Sequence, residues 1–383
     1  MKYLLKIIQL ILLICCFSCG DSSVAQNDDT IDQNPDKEIN FYYGADLSYV
    51  NEMLDCGATY KNSEGIVKNP YAIFSEAGAN LIRVRLWNNP TWTNYSNYED
   101  VKLTISKAKA EGMKVLLDFH YSDTWADPGK QEIPAAWLSN IDNTEALSTQ
   151  LYNYTYQTLN KLAIANLLPD IVQVGNEINP MILQHGDLKW PIDWVRNSTL
   201  INNGIKAVRD ISKEHNKNIE VMLHIAQPEN GLWWFKDATE NGITDFDWIG
   251  LSYYPIWSEY KLNNLSTPLK TLVDTYKKRL MIVETAYPFT LENADSANNI
   301  LDDNALVTGY PATEIGQLNY LNKLKEIVKN AGGDGIIYWE PAWVSTNCST
   351  QWAQGSHWDN ATLFDHTKKV TLGMSFYNGS FKE

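Results

Sequence analysis

The 383-residue sequence predicts a single (β/α)8 barrel with enlarged loops after its strands. Eight short, mostly apolar runs are the first observation, because continuous apolar strands are typical of parallel sheets buried on both faces. The second is that segments with helical spacing separate these runs, and the third is that polar and aromatic residues follow the runs at their ends. The predicted strands span residues 41–45, 81–86, 114–118, 171–174, 220–224, 248–252, 280–284 and 335–339.

Two of the segments between the strands carry a clear helix ending. The helix predicted over residues 101–111 is followed by Gly112, and the one predicted over 315–331 is followed by Gly332 and Gly333. Glycine is the usual residue just past the end of a helix. Eight strand–helix units in about 340 residues match one barrel.

The alternative architecture is an open, doubly wound sheet. That fold usually places a glycine-rich, phosphate-binding turn after its first strand. Here the first predicted strand is followed by Asp46, Leu47, Ser48 and Tyr49, which contain no glycine. The sequence therefore favours the barrel.

The first 18 residues have the pattern of a secretory signal. Lys2 and Lys6 flank the start of an apolar stretch over residues 3–17, which is too short for a comfortable membrane span. The end of this segment resembles a bacterial lipoprotein processing site, and this resemblance makes Cys19 the lipidated first residue. Cys16 stands where such sites usually have leucine. An ordinary cleaved signal, or lipidation at Cys15 or Cys16, is the alternative.

Residues 19–40 are polar and acidic and have no apolar periodicity, so we expect a disordered tether. Residues 41–383 then form the barrel domain. These segments predict a protein that is secreted across the inner membrane. It would be lipid-anchored at the cell surface or at the periplasmic face of the outer membrane, and its only membrane contact would be the lipid.

Cys56 and Cys348 are the two cysteines of the predicted mature domain. Cys56 follows the first predicted strand and Cys348 follows the last, and these strands are neighbours in a closed barrel. In an oxidising compartment two such cysteines can pair. The alternatives are a disulfide near the mouth of the barrel and two free buried thiols.

Composition limits the class of partner. The formal net charge of −15 argues against nucleic acid and against an anionic membrane surface. The 14 tryptophans and 21 tyrosines suit a protein that stacks flat ligands. A neutral polymer is compatible with both observations, and we expect a monomer.

Two glutamates carry the strongest indication of chemistry. Glu177 comes shortly after the apolar run 171–174, and Glu284 ends the run 280–284. A carboxylate beside a buried strand costs several kcal/mol unless it is paired. The ends of parallel barrel strands face one common mouth, so the two carboxyls are expected to meet there. Two carboxyls at one site can cleave a glycosidic bond.

The residues beside these glutamates fit the same reaction. Asn176 can hydrogen-bond the sugar 2-hydroxyl, and the hydroxyl of Tyr253 is predicted to donate to the carboxyl of Glu284. Arg83 or Arg85 can hold Glu284 ionised, because a nearby cation lowers the pKa of a carboxyl. Glu177 must stay protonated, which requires a less polar setting.

Six sequence runs together resemble the endo-β-1,4-galactanases of glycoside hydrolase family 53. They are residues 44–48, 83–87, 117–128, 173–177, 252–255 and 338–343. The resemblance implies that Glu177 is the proton donor and Glu284 the nucleophile. The reaction it implies is retaining hydrolysis of β-1,4-galactan, the side chain of type I arabinogalactan and pectin. Retention places the two carboxyls about 5–5.5 Å apart, whereas a separation nearer 9 Å indicates inversion.

The resemblance also implies residues that contact the substrate. Most of them lie at strand ends or in the loops that follow. The positions it suggests are Asp127, Lys130, His224 and Trp352. Arg83, His120 and Trp339 are predicted as further contacts from their places at the ends of strands. Trp87 and Trp343 are proposed as stacking platforms on physical grounds, although either could instead be a core aromatic that anchors a loop.

Bacterial members of the family hold a calcium ion between the loops after strands seven and eight. The matching positions here are Asp295, Asn299, Ser356 and Asp359, while Ala297 replaces a histidine ligand. Oxygen ligands from two loops suit Ca²⁺. A solvated loop rich in Asn and Asp is the alternative.

Two other functions remain open from the sequence. One is another retaining β-glycosidase of the same barrel clan, such as an arabinosidase or a mannanase. The other is a glycan-binding barrel without hydrolytic activity, which would keep the tryptophans but lose a carboxylate. The presence of both Glu177 and Glu284 favours an enzyme.

Overall fold

The computed structural model describes residues 41–186 and 190–378. Over these residues eight parallel strands close into a barrel in sequence order, which confirms the predicted fold class. The predicted signal segment 1–18, the tether 19–40 and Cys19 lie outside the described residues.

The eight strands fall where the apolar runs predict them, with ends that differ by up to two residues. They are β1 (Tyr42–Asp46), β2 (Leu81–Leu86), β3 (Lys114–Phe119), β4 (Ile171–Val174), β5 (Glu220–Ala226), β6 (Trp248–Ser252), β7 (Arg279–Glu284) and β8 (Gly335–Tyr338).

Helices alternate with these strands along the described chain. They are α1 (Val50–Asp55), α2 (Pro70–Ala77), α3 (Tyr98–Ala110), α4 (Thr144–Ile164), α5 (Trp194–Glu214), α6 (Pro228–Glu240), α7 (Ser266–Tyr276) and α8 (Glu314–Asn330). Four 3₁₀ turns cover Ala135–Asn140, Asp303–Ala305, Asp359–Ala361 and Leu372–Asn378.

Helix α3 begins three residues before its predicted start. The side chain of Asn97 accepts hydrogen bonds from the backbone N–H groups of Glu99 and Asp100, which satisfies two of the free donors at the helix start. Glu99 and Asp100, the two acidic residues in this first turn, also interact favourably with the positive end of the helix dipole. The cap at Asn97, and not the spacing of apolar residues, therefore determines where α3 begins.

Strand β1 closes the barrel against β8. The pairing runs from Tyr42 opposite Gly335 to Ala45 opposite Tyr338. A Cβ atom at Gly335 would lie 2.7 Å from the Cβ of Tyr42, so only glycine fits this close approach of the two strands.

The pairing between β6 and β7 contains an irregularity at the mouth. Leu251 lies opposite Ile282, but the next residue, Ser252, lies opposite Glu284. The ladder thus skips Val283, as in a β-bulge, which re-aims side chains at the end of a strand. This places Ser252 level with Glu284 at the C-terminal end of the barrel.

Cys56 and Cys348 form a disulfide that joins the loop after α1 to the loop after β8, with Cα atoms 5.8 Å apart. Of the two alternatives left open by the sequence, the structure therefore contains the paired form. Among the described residues, no helix is both long and apolar enough to cross a bilayer.

Candidate active site

The ends of the strands surround a cavity of about 470 Å³. Glu177, in the turn after β4, and Glu284, the last residue of β7, both line it. The two carboxyls therefore share one cavity at the C-terminal mouth of the barrel, where the sequence predicts them to meet.

Glu284 is held by an arginine. Nη1 of Arg83 lies 2.8 Å from Oε1 of Glu284, and the same guanidinium contacts Asp46 at 2.9 Å and Asp118 at 2.8 Å. Arg83 is 1% exposed, so these contacts lie away from solvent. Of the two arginines that the sequence offers as partners of Glu284, Arg83 is the one in contact.

Arg85 has a different partner. Its Nη1 lies 2.8 Å from Oε1 of Glu340, and both side chains are buried. The guanidinium packs over three aromatic rings, with its Cζ 4.8 Å from the ring centre of Tyr49, 4.9 Å from that of Trp87 and 4.3 Å from that of Trp125. Arg85 thus holds these three aromatic rings in place at the C-terminal mouth of the barrel through cation–π contacts.

Glu177 lies in a tight turn after β4. Gly175 has φ +89°, and a Cβ atom there would lie 2.3 Å from a methyl group of Ile178. Glu177 itself has φ +43°, a conformation that is uncommon for a residue with a side chain. Nε2 of Gln131 donates to the backbone carbonyls of Asn176 and Glu177 and so helps to fix this turn.

A chain of hydrogen bonds supports the carboxyl of Glu177. The hydroxyl of Ser252 donates to Oε1 of Glu177 at 2.5 Å and lies 2.9 Å from Nε2 of His224. His224 is fully buried, and burial lowers its pKa well below the ordinary value, so the ring is neutral. His224, predicted as a substrate contact, is therefore placed behind Glu177 and does not line the cavity.

The two glutamates differ in their surroundings. Burial raises the pKa of Glu177 to about 7, and the hydrogen bond from Ser252 opposes this rise. Burial also raises the pKa of Glu284, Arg83 opposes it, and the charge of Glu177 adds to it. Two carboxyls that share one cavity do not both ionise easily near neutral pH. The contact with Arg83 places the negative charge on Glu284 and leaves the proton on Glu177.

Asn176 is anchored on both sides of its amide. Its Oδ1 accepts from Nη2 of Arg83 at 2.6 Å, and its Nδ2 donates to the carbonyl of Ala126 at 2.8 Å. The side chain is 5% exposed and lines the cavity. One hydrogen on Nδ2 is not used by the bond to Ala126, in line with the predicted contact to a sugar hydroxyl.

Four buried polar atoms of residues that line the cavity have no hydrogen-bond partner within residues 41–186 and 190–378. They are Nδ1 of His120, Nε2 of His357 and the Nε1 atoms of Trp125 and Trp343. Nε2 of His120 donates to Asp118 at 3.0 Å and burial lowers the pKa of the ring, so its Nδ1 is an acceptor, whereas the two indole groups are donors. Buried polar groups without partners are rare in native proteins, so these atoms indicate a polar ligand rich in hydroxyl groups, which both donate and accept.

The structure separates the predicted aromatic contacts into two groups. Trp339, Trp343 and Trp352 line the cavity, and Trp352 is 54% exposed. Trp87 is 2% exposed and lies outside this cavity, where it packs against Trp92 with ring centres 4.8 Å apart. A face of Trp87 is thus not available to stack on a sugar in the main cavity.

The loop after β3 contributes one of its two predicted residues to the cavity. Asp127 lines the cavity and is exposed, whereas Lys130 is exposed but does not line it. The two residues pair with each other through their backbones, in a small turn that keeps Asp127 at the rim.

Tyr253 points away from the two glutamates, contrary to the expectation from the sequence. Its hydroxyl donates to the backbone carbonyl of Tyr260 at 3.2 Å. The next residue, Tyr254, is buried and is electrostatically coupled to both Glu284 and Glu177. Because successive side chains of an extended segment alternate, Ser252 and Tyr254 share the side that faces the site, and Tyr253 faces outward.

Residues 42–377 match the sequence profile of glycosyl hydrolase family 53. The chain belongs to this family. It is 57% identical over 331 residues to an arabinogalactan endo-β-1,4-galactanase of Cellvibrio japonicus (strain Ueda107), and the match covers 86% of this chain and 88% of the relative. An endo-β-1,4-galactanase of Bacillus subtilis (strain 168) is 38% identical over 322 residues, with 81% of this chain and 72% of the relative covered.

Solved structures of the same family share the whole barrel. The family 53 catalytic domain of Ignisphaera aggregans matches with a TM-score of 0.83 and 30% identity, covering 91% of this chain and 98% of that domain. A structure from work on two fungal β-1,4-galactanases matches with a TM-score of 0.76 and 31% identity, covering 88% and 98%.

Sequence reasoning missed several residues that build this family 53 site. Ser252 and Gln131 position Glu177, Tyr254 lies near both glutamates, and Trp125 lines the cavity. Ser252 is the last residue of a predicted strand, and this position is the sequence signal that marks it as a candidate site residue. Gln131 lies in an irregular loop, where no periodicity indicates which side chain turns inward.

The four predicted calcium ligands come together between the loops after β7 and β8. The carboxylate of Asp295 accepts from the backbone N–H groups of Ala297 and Ser356, each at 2.8 Å. Asp359 accepts from Nδ2 of Asn299 at 2.8 Å and from the N–H of Ala294 at 3.0 Å.

The chemistry of this cluster fits a hard cation in part. Oδ1 of Asn299 is buried without a partner, and neither Asp295 nor Asp359 pairs with a lysine or arginine among the described residues. Carboxylate and amide oxygens are ligands that Ca²⁺ accepts. The hydroxyl of Ser356, however, donates to the carbonyl of Trp343, and no group of three His, Cys, Asp or Glu residues suited to a metal occurs in the described part of the chain.

Proposed function

We propose that this family 53 barrel hydrolyses internal β-1,4-galactosidic bonds of galactan and type I arabinogalactan with retention of configuration. The observation that carries the proposal is the different setting of two carboxyls in one cavity. Glu284 is held by Arg83 at 2.8 Å, and Glu177 is held by the hydroxyl of Ser252. The names of the relatives support galactan as the substrate.

In the first half of the reaction, Glu177 gives its proton to the glycosidic oxygen as the bond to the anomeric carbon breaks. A carboxylate oxygen of Glu284 attacks that carbon and forms a covalent glycosyl–enzyme ester, and the shortened chain leaves as an alcohol. Arg83 keeps Glu284 ionised before attack, and the less polar setting of Glu177 keeps its proton available.

In the second half, Glu177 is a carboxylate and acts as a base. It takes a proton from a water molecule while the water oxygen attacks the anomeric carbon, and the ester bond to Glu284 breaks. Two inversions at one carbon give retention. The mechanism requires carboxyls about 5–5.5 Å apart.

The walls of the cavity suit a chain of sugar rings. We propose that Trp339 and Trp352 stack on sugar faces and that Asp127 and His120 hydrogen-bond to hydroxyl groups. Trp343 lines the cavity, but it is 2% exposed and its ring stacks on that of Tyr49 with centres 4.2 Å apart, so it offers no free face to a sugar. These residues combine apolar rings with a few polar groups, as carbohydrate sites need.

The test is hydrolysis of purified linear galactan by the Glu177→Gln and Glu284→Gln variants. Loss of a positioned acid or nucleophile is expected to reduce kcat by at least about a hundredfold while the melting temperature is kept. Glu326→Gln, on the exposed face of α8, is the matched control and is expected to keep full activity. Turnover near that of the unchanged protein in either active-site variant would refute the assignment.

The product profile and a substrate panel separate the remaining alternatives. Endo-action predicts medium-length galacto-oligosaccharides early in the reaction, whereas exo-action predicts one short product from the start. Faster cleavage of an arabinan or a mannan than of galactan would favour another glycosidase of the clan. Binding of galactan without any hydrolysis would favour a glycan-binding protein.

We propose in addition that Asp295, Asn299, Ser356 and Asp359 hold one structural Ca²⁺ that links the loops after β7 and β8. The buried, unpartnered oxygen of Asn299 supports the proposal. Thermal melting of chelator-treated protein with and without added Ca²⁺ tests it. A rise in the midpoint is expected on addition of the ion, and the rise should disappear in Asn299→Ala.

Lipidation at Cys19, export and a monomeric state remain proposals from the sequence. Mass spectrometry of the protein purified from membranes tests the anchor, because a diacylglycerol group on Cys19 adds a defined mass that Cys19→Ala must lack. Light scattering of the barrel domain tests the monomer.

A further inference from the structure

A second, smaller cavity lies beside the main one. It has a volume of about 150 Å³ and is enclosed by helix α1, by the loop after β2 and by the loop after β8. A cavity of about this size holds one six-membered ring. Its lining contains aromatic rings, hydroxyl groups, an amide and one carboxyl, which is the composition of a sugar site.

The two cavities share a wall. Arg85 lines both of them, and the loop after β8 passes between them. In this loop Trp352 lines the main cavity, whereas residues 349–351 line the smaller one. A sugar ring in the smaller cavity would therefore lie next to a chain bound along Trp125 and Trp352, whose ring centres are 5.9 Å apart.

A carboxyl without a partner lines the smaller cavity. The side chain of Glu52 is partly buried and has no hydrogen bond or ion pair with any residue in the described ranges. Burial raises the pKa of Glu52 to about 7, and the charge of Arg85 opposes this rise. A partly buried carboxyl without a hydrogen-bond partner can accept from a ligand in the cavity, and a ligand with hydroxyl groups supplies the donors that the protein does not.

A donor without a partner lines the same cavity. Nε1 of Trp87 is buried and unpaired in the described structure, although Trp87 is otherwise fully packed. Beside it, Trp92 is 39% exposed, and its Nε1 donates to the carbonyl of Asp123 at 3.1 Å, which fixes the ring. The cavity thus offers one acceptor and one donor that have no partner among the described residues, beside the fixed ring of Trp92.

We infer that this smaller cavity is an additional subsite for one neutral sugar ring of the polysaccharide substrate, with Glu52 and Trp87 as its hydrogen-bonding groups. The inference rests on the proposed function. The ring is either the next unit of the main chain or an arabinosyl branch, because both offer the same hydroxyl chemistry.

The experiment compares kinetics of the full-length protein and its Glu52→Gln variant on two kinds of substrate. The first is a series of linear β-1,4-galacto-oligosaccharides of increasing length, and the second is arabinose-branched galactan. Glu52→Gln keeps the shape of the side chain but weakens the acceptor. We expect KM to rise roughly threefold to tenfold for substrates that fill the cavity, with kcat unchanged.

The pattern of the KM change identifies the source of the ring. A rise that begins at one length of the linear series identifies a main-chain unit, and a rise confined to the branched polymer identifies a branch. Trp92→Ala, which removes the exposed ring, should raise KM for the same substrates. Glu64→Gln is the matched control, because this exposed glutamate lines neither cavity.

Two results would overturn the inference. One is an unchanged KM on every substrate, and the other is an equal loss on all substrates, which would mean a general structural effect. Isothermal titration of long oligosaccharides into Glu284→Gln, with and without Glu52→Gln, measures binding independently of turnover. Failure of the unchanged protein to cleave any galactan would instead refute the proposed function and is seen before any variant is made.

Discussion

At the scale of single residues, two glutamates of the same type acquire different roles from their neighbours. Glu284 faces a buried guanidinium that also serves Asp46 and Asp118, and Glu177 faces the hydroxyl of Ser252. A cation stabilises a carboxylate over its protonated form by far more than a neutral hydroxyl does. In the proposed mechanism, the different roles of the acid and the nucleophile are therefore already set in the free protein.

The different neighbours of Glu177 and Glu284 predict how activity depends on pH. Because burial raises the pKa of Glu177 to about 7, its acid form is lost as the pH rises through that value, and kcat/KM should fall on the alkaline side. The hydrogen bond from Ser252 lowers this pKa, so Ser252→Ala should move the alkaline limb to higher pH. The check is a pH profile of kcat/KM on linear galactan.

Ser258→Ala is the control for the pH experiment, because Ser258 bonds to Glu229, away from the glutamates. Its profile should coincide with that of the unchanged protein. An alkaline limb that stays in place, or that moves to lower pH, in Ser252→Ala would contradict the assignment of Glu177 as the acid.

Neighbouring tyrosines provide a second prediction at this scale. Tyr254→Phe should lower kcat/KM at least about tenfold, because the charges of both glutamates raise the pKa of its buried hydroxyl, which indicates that this hydroxyl lies beside the site. Tyr253→Phe should lose only the bond to the carbonyl of Tyr260, which costs about 1 kcal/mol of stability and little activity. Kinetics and melting of the two variants, side by side, measure the difference, and equal loss of activity in both would contradict it.

The sequence could place the glutamates but could not choose between these two tyrosines. An apolar run followed by Glu marks a strand end by local pattern alone. Which of Tyr253 and Tyr254 turns inward follows from the side that Ser252 faces, and pairing with β7 places Ser252 level with Glu284. Pairing between strands distant in sequence leaves no periodic signal, and the same holds for the placement of His224 behind Ser252.

At the scale of elements, the turn after β4 shows how a local backbone geometry aims a catalytic side chain. Gly175→Ala should destabilise the protein by about 3 kcal/mol and lower activity, because φ there is +89° and the new Cβ would lie 2.3 Å from Ile178. Thermal unfolding and kcat on galactan measure both effects.

Gly112→Ala separates backbone strain from contact of the new Cβ atom as causes of the destabilisation in that experiment. Gly112 has φ +76°, but a Cβ atom there meets nothing within 4 Å. It should therefore show only the backbone strain, about 1–2 kcal/mol, with activity kept. Equal effects of the two substitutions would show that contact with Ile178 does not matter.

Strands were easier to predict than the segments that follow them. Each strand is buried on both faces, so its composition is apolar along its length, as β4 and β7 show. The start of α3 was missed by three residues because Asn97 caps it, and a cap is a single side chain outside the apolar pattern. The long loop that carries Trp352 has no repeat at all, and only its contacts show which cavity each residue lines.

At the scale of the whole molecule, the disulfide Cys56–Cys348 links two loops that are 292 positions apart in sequence. It joins the region after β1 to the region after β8, the two strands that close the barrel. A crosslink that closes so long a loop removes much of the freedom of the unfolded chain. It therefore acts on the stability of the entire barrel and on the loop beside both cavities.

The double variant Cys56→Ser/Cys348→Ser is the test, because it removes the bond without leaving a free thiol. We expect the free energy of unfolding to fall by about 2–5 kcal/mol. We also expect KM for long substrates to rise more than KM for short ones, since Cys348 anchors the loop that carries Trp352. Chemical unfolding and kinetics on a length series measure the two effects, and reduced unchanged protein should behave like the double variant. If stability falls while KM remains the same at every length, the disulfide secures the barrel alone and the loop after β8 holds its position through its own contacts.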